Sequence, residues 1–282
     1  MSNLLRRVGI ALIAFGFDPR RTLRSLRFLP GYVGDLLRWR RFASAEGPAF
    51  ALRLLPTLAE RYANSGVASG HYFHQDLWAA RLIHAQAPIR HVDVGSRIDG
   101  FVAHLLAFRE VEVFDIRALD SRIPGLSFRQ ADLMSPLPLD LAPAESVSCL
   151  HALEHFGLGR YGDPLQPQGW QVGLRNLAGL VAPGGRLYLG VPIGRPAVEF
   201  NAQRIFHPRY LVDEAKRHGL SLVQFAHVDD AGDLHEHPNQ ERPEPLEAHL
   251  ERLAQMDYGC GLYVFHKPVA PSLQGPDMAS SP

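Results

Sequence analysis

The texture of the chain changes near position 89. From 48 to 88, apolar residues recur at helical spacing: Leu52, Leu55, Leu58, Ala59 and Tyr62, then 77–87, with Gly66 and Gly70 as punctuation. That period predicts helix over both parts. Beyond Ile89, short apolar runs take over at 91–94, 111–116, 126–129, 147–150 and 186–191, with helical patterns such as 102–108 between several of them. Strands alternating with helices predict βα units and a parallel sheet. Ser221–Val228 and 258–266 read as two further strands, preceded by a helix over 208–218. A long polar insertion from Asp229 through Pro243 and Pro245 lies between those strands and reads as a solvated loop. The tail 268–282, rich in Pro, Ser, Gly and Ala, is expected to be disordered.

Residues 1–43 are locally basic, with Arg6, Arg7, Arg20, Arg21, Arg24, Arg27, Arg38, Arg40 and Arg41 against Asp18 and Asp35. Arg20, Arg24 and Arg27 share a helical face, while Leu23 and Leu26 fall on another. Two readings stand side by side: an amphipathic segment drawn to anionic lipid, giving peripheral membrane contact, and a helical extension with solvated arginines. The apolar run 8–17 after Arg6-Arg7 imitates a signal peptide, but charged residues follow it directly and no small-x-small cleavage site appears. It is also only about half the ~20 residues a spanning helix requires. The expected location is cytoplasmic, with the inner face of the membrane as the peripheral alternative.

Composition narrows this little. Of 282 residues 46% are hydrophobic, enough for one sizeable core, and the formal net charge is zero, so no global field favours nucleic acid. Cys149 and Cys260 sit in apolar runs, as buried free thiols in a reducing compartment would.

The densest chemistry begins at His91-Val92-Asp93-Val94-Gly95-Ser96-Arg97-Ile98-Asp99-Gly100-Phe101. A strand enters a glycine turn, which lets a ligand approach the backbone at the carboxyl end of the first strand of a doubly wound sheet. A plain βα turn has the same pattern. About twenty residues on, the strand starting at Val111 ends in Asp115, where a carboxylate can accept from both ribose hydroxyls. Asp132 follows a third strand and could accept from an adenine amino group; for each acid a turn or helix-cap role competes.

In order and spacing, Val92-Asp93-Val94-Gly95, Asp115, Asp132 and Leu150-His151-Ala152-Leu153-Glu154-His155 resemble the successive motifs of class I S-adenosylmethionine-dependent methyltransferases. The segment from Leu177 to Leu189, with Pro183-Gly184-Gly185 inside it, is similar to the helix, turn and fifth strand of that superfamily. The turn reads as a glycine-capped helix end reversing into a buried strand. The likeness covers roughly residues 71–267. Within it, Leu150 to Pro164 resembles a narrower methyltransferase-like family of unknown function. The resemblance implies a Rossmann-like α/β fold with a seven-stranded sheet, the last strand antiparallel, on an N-terminal helical extension (1–70, 71–267, then the tail). It implies S-adenosylmethionine as cofactor, held by Asp93, Gly95, Arg97, Gly100, Asp115 and Asp132. The usual Gly-x-Gly-x-Gly loop is broken here by Arg97 and Asp99. Arg97 could pair with the methionine carboxylate or block the pocket, which leaves a degenerate, non-catalytic binding or scaffold protein as the alternative. A nicotinamide-dependent enzyme fits the later strands less well.

Methyl transfer is an in-line displacement that needs alignment and, for an oxygen acceptor, a base. His155 is the first candidate base, His151 the second, with Glu154 between them. Arg160, Tyr161 and Asp163 in the following glycine-rich loop, and Asn201, Arg204 and His207 further on, are candidate acceptor contacts for a small or glycan-linked molecule. A loop-holding role competes for each. Asp229, Asp230, Asp233, His235, Glu236 and His237 invite a metal reading, but a solvated loop explains them better and no metal is predicted.

Overall fold

The computed structural model describes residues 3–42, 51–58, 60–61, 63–138, 141–236 and 244–269. The chain divides into two compact units, one ending at Val67 and the other beginning at Ala68. The first holds helices α1 (Asn3–Ala14) and α2 (Pro19–Phe42). Asp18 opens α2 by accepting from the backbone N–H of Arg20 and Arg21, so the charged pair after the apolar run is a helix start. The helix expected over 48–70 does not form at 51–58, where Pro56 removes a backbone donor. Ala59 and Tyr62 of that expectation lie outside the described residues, as does the expected disordered tail from 270 onward.

The second unit is an α/β sandwich. Its strands are β1 (His91–Val94), β2 (Val111–Asp115), β3 (Leu126–Gln130), β4 (Ala144–Leu150), β5 (Val181–Ile193), β8 (Ser221–Val228), β9 (Leu234–Glu236) and β10 (Gly259–His266). They form one sheet in the order β3-β2-β1-β4-β5-β10-β8-β9. β1 to β5 run parallel, and β10 is antiparallel to both β5 and β8. Apart from β9, this is the seven-stranded Rossmann-like arrangement implied by the resemblance. A separate hairpin, β6 (Ala197–Glu199) and β7 (Gln203–Ile205), follows β5.

Helix α3 (His71–Gln86) precedes the sheet; α4 (Ala103–Leu106), α5 (Gly169–Leu180), α6 (Pro208–Arg217) and α7 (Leu246–Leu253) are interleaved with it. Strand alternation separates two cores. Leu187, Leu189 and Val191 of β5 join one cluster with Leu174, Leu177, Leu211 and Leu253, whereas Tyr188 joins Trp78, Ile83, Phe101 and Leu105 in the other. Cys260 and Leu262 of β10 belong to this second, α3-side cluster.

Three expectations are corrected. The Pro183-Gly184-Gly185 segment is not a helix cap: α5 ends at Leu180, Val181 is already extended, and the glycines sit inside β5 where its register to β4 shifts. Gly184 has φ +81°, and a Cβ on Gly185 would stand 2.8 Å from the Glu145 carbonyl oxygen, so the glycines accommodate a bulge. The helix expected over 102–108 is shorter and is preceded by one π-helical turn at Ile98–Val102. The polar insertion carries β9, and directly after Pro245 the chain forms α7, where Leu250 and Leu253 find the first core.

Candidate functional site

Between β1 and β4 the strand order reverses, leaving a crevice at their carboxyl ends. A cavity of about 270 Å³ occupies it. Gly95, Arg97, Asp115, Asp132, His151, His155, Arg160, Tyr161 and Asp163 all line it, so nine of the sequence-derived candidates meet at one place. Asp93, Gly100, Glu154, Asn201, Arg204 and His207 do not reach it.

The loop after β1 is built from beneath. Asp93 is wholly buried and accepts from Ser96 Oγ (2.6 Å), Ser96 N (3.1 Å) and Ser148 Oγ (2.5 Å). Ser148 Oγ also lies 3.0 Å from His91 Nε2, and Ser96 Oγ accepts from Leu150 N. Asp93, expected as a cofactor contact, has its oxygens engaged in tying β1 to β4 and does not line the cavity. Burial pushes its carboxyl up to about 6, against the opposing hydroxyls, and pushes the His91 imidazole down to about 3. Gly95 has φ +72°, and a Cβ there would meet the Ala152 Cβ at 2.9 Å. Gly100 serves packing, since a Cβ on it would lie 2.7 Å from Asp76 Oδ2 on α3.

The two departures from the glycine pattern answer each other. Arg97 places Nε and a terminal nitrogen 3.2 and 3.0 Å from the two oxygens of Asp99, and its guanidinium lies 5.0 Å from the centre of the Tyr72 ring. At the end of β2, Asp115 carries a second fork: Arg117 Nε and its terminal nitrogen reach its oxygens at 2.9 and 2.5 Å. Arg117 also lies 4.6 Å from the Tyr161 ring centre, with Arg160 5.3 Å from the same ring. An adjoining cleft shares Arg97, Asp115 and Arg117 with the main cavity. Asp132 accepts from Met134 N at 2.8 Å, the turn role weighed for it.

β4 delivers the candidate bases. His151 takes φ +50° and is buried, with Nδ1 2.8 Å from Glu154 Oε1. Burial opposes its charge, but the Cys260 sulfur and the Glu154 carboxylate hold its pKa well above the ordinary histidine range. His155 Nδ1 lies 2.8 Å from the Ala202 carbonyl oxygen, which also accepts from Arg160 at 2.7 Å. Burial, helped by the Arg160 charge, lowers the His155 pKa. The imidazole is therefore neutral at neutral pH; the shorter contact, Nδ1 to the Ala202 carbonyl at 2.8 Å, places the lone pair on Nε2, while an Arg160 N–H 3.3 Å from Nδ1 opposes that tautomer.

The other acceptor candidates hold the frame. Asp163 accepts from the backbone of Gly157, Gly159 and Tyr161 at 2.9–3.1 Å. Arg204 is buried and donates to the carbonyls of Glu154, Phe156 and Pro167. His207 starts α6 by accepting from Arg209 N and faces Glu251. Asn201 is exposed on the β6–β7 hairpin turn. Arg204 and His207, expected as acceptor contacts, have polar atoms engaged elsewhere and do not line the cavity. Sequence reasoning missed Tyr72 and Arg117, although the aromatic start of α3 and a basic residue two positions after Asp115 were both visible.

A family described as Caenorhabditis protein of unknown function, DUF268, matches residues 141–212, the span from β4 into α6. No curated protein matches the chain. Among solved structures it is similar to the [4+2]-cyclase SpnF, at 16% identity over 73% of this chain and 89% of that one, TM-score 0.47. It is similar also to the 1,6-didemethyltoxoflavin-N1-methyltransferase of Burkholderia thailandensis, at 15% identity over 69% and 78% of the two chains, TM-score 0.46. A third is the N-methyltransferase NodS of Bradyrhizobium japonicum WM9 with S-adenosyl-l-homocysteine, at 12% identity over 71% and 89%, TM-score 0.46.

Proposed function

We propose that this chain binds S-adenosylmethionine in the β1–β4 crevice and transfers its methyl group to an oxygen of a small or glycan-linked acceptor. One observation carries the reading: a glycine that cannot bear a Cβ, a strand-end carboxylate and a neutral histidine converge on one cavity at the topological switch point. The cofactor supplies an electrophilic methyl on a sulfonium. The residues fit it in part. Gly95 gives backbone approach, and Asp115 presents a ribose acceptor once Arg117 turns aside.

What remains for the protein is alignment and one proton. His155, neutral and fixed through Nδ1, takes the acceptor's proton at Nε2. Glu154, whose Oε1 is 2.8 Å from His151 Nδ1, positions that ring and sets a carboxylate 3.7 Å from His155 Nε2. Arg97, Arg117 and Arg160, with Tyr72 and Tyr161, give the mouth a cationic, aromatic character that suits a hydroxylated or anionic acceptor.

The Arg117–Asp115 fork favours a second reading, a binding protein whose ribose acceptor is permanently occupied. Calorimetric titration of the purified protein with S-adenosylmethionine and S-adenosylhomocysteine separates the two. Micromolar affinity, about 8 kcal/mol, is expected. Asp115→Ala should weaken it by about tenfold or more, the worth of hydrogen bonds to a charged group. His155→Ala should keep donor binding while losing about 10²-fold or more in turnover with any acceptor found by a labelled-methyl screen. Absence of binding by the folded protein would remove the methyltransferase reading.

A further inference from the structure

Three residues that the methyl-transfer reading does not use together meet beside the cavity. His71 opens α3, His151 follows β4, and Cys260 lies near the start of β10 on its α3 side. Each offers one ligand atom, and those atoms lie within 4.8 Å of one another. Zn–N and Zn–S bonds of ~2.1 and ~2.3 Å require a contraction of roughly 1 Å from that span.

His151 supplies the independent sign of a missing ligand. Its side chain is only 3% exposed and its Nδ1 is turned to Glu154. Its Nε2 is buried and meets no hydrogen-bond partner at bonding distance among the described residues, with the Cys260 sulfur the polar atom that acts on it. A buried polar atom left so costs about 1–3 kcal/mol and calls for an explanation. A carboxylate on one ring nitrogen fixes the ring and leaves Nε2 toward Cys260, where a bound metal would take the place of the proton that Glu154 and the Cys260 sulfur favour. His71 stacks on His151 with ring centres 5.3 Å apart and planes 10° apart, and its own Nε2 is 3.3 Å from the Tyr258 carbonyl. Cys260 is wholly buried and unbridged.

We propose that His71, His151 and Cys260 form a binding site for a divalent transition-metal ion of the zinc class. Two imidazoles and a thiolate are a borderline-soft set that zinc accepts, whereas magnesium and calcium take oxygen ligands. Three protein ligands leave one position of a tetrahedral ion open. Because His151 also lines the cavity, that position belongs to the acceptor side of the crevice. A heteroatom of the acceptor is then the fourth ligand; this last step alone rests on the methyl-transfer reading.

The test uses the full chain, stripped with a chelator and titrated with Co²⁺, then with Zn²⁺ in competition. One equivalent of Co²⁺ should bind with the visible bands of a tetrahedral ion and a near-ultraviolet thiolate-to-metal charge-transfer band. Zn²⁺ should displace it and Mg²⁺ should not. Cys260→Ser should abolish the charge-transfer band, and Cys149→Ser should leave it intact. Glu154→Gln should weaken Zn²⁺ binding about tenfold or more through the orientation of His151. A parent protein that shows no charge-transfer band overturns the site whatever the variants do, and so does a band that survives Cys260→Ser. His71→Gln, at a partly buried position, should weaken Co²⁺ binding about tenfold or more while the thiolate band persists at saturation, and unchanged affinity there overturns the site should Cys260→Ser fail to fold. No methyl donor is present in the titration, so its failure and a failure of donor binding are read separately.

Discussion

At the scale of single residues, the Ser148 hydroxyl stands between His91 and Asp93 and ties two groups with opposite responses to acid. His91 is buried and neutral, its pKa lowered from 6.5 to about 3 chiefly by burial. A histidine depressed in the folded state stabilises the fold above its unfolded pKa, and that contribution is lost as pH falls from 6.5 toward 3. Asp93 is raised from 3.8 to about 6, also by burial. It binds a proton more tightly when folded, so it adds stability as pH falls from 6 toward 3.8. The two partly offset in the parent protein. His91→Gln removes the first and keeps the second, so the stability gap between variant and parent should narrow by about 2 kcal/mol between pH 7.5 and 5. Urea melts across that range measure it, and a gap independent of pH would contradict the buried neutral His91. Neither partner was legible as such: Asp93 sits in the motif, but only the β1–β4 pairing shows that its oxygens are spent on serines.

At the scale of elements, the loop from Gly157 to Asp163 is a small closed unit. Gly157, Gly159 and Gly162 have φ of +76°, +70° and +83°, and Asp163 collects three of the loop's N–H groups. The glycines are there because a residue without a Cβ enters the left-handed region at low cost, whereas other side chains are strained there. The loop places Arg160 and Tyr161 on the cavity, so removing its anchor should free both. Asp163→Ala is expected to speed hydrogen exchange of the 157–161 amides by about 30-fold or more, equivalent to about 2 kcal/mol of local stability. Unchanged exchange would mean the glycine conformations hold the loop without the carboxylate. The central strands β1, β2 and β4 were legible to within about three residues because their apolar runs are largely buried. The Pro183-Gly184-Gly185 bulge was not, since a glycine ending a helix and one inside a strand look alike in sequence. Nor was the helix α7, whose apolar residues are few and find their partners only in the tertiary core.

At the scale of the whole molecule, no helix among the described residues is long and apolar enough to cross a membrane. α2 nevertheless buries none of its side chains and keeps Leu23 and Leu26 exposed beside Arg20, Arg24 and Arg27. If that segment meets anionic lipid, the full chain should co-sediment with phosphatidylserine vesicles and not with phosphatidylcholine alone. Each arginine changed to glutamine should weaken binding about fivefold, from ~1 kcal/mol per basic residue, and salt should abolish it. Equal partition to both vesicles, or to neither, would leave the arginines as solvated charges. The sequence by itself determined the order of the main strands β1 to β5, β8 and β10, the glycine turn after β1 and the acids at the strand ends. These are local features, written in periodicity and in backbone permissions a few residues long. Tertiary structure alone decided which polar groups are free for chemistry. Hydrogen bonds across the sheet engage Asp93, loop carbonyls engage Arg204, and an arginine fork covers Asp115. The fold also brings positions 71, 151 and 260 within ligand distance of one another, because contacts between residues far apart in the chain leave no periodic trace in it.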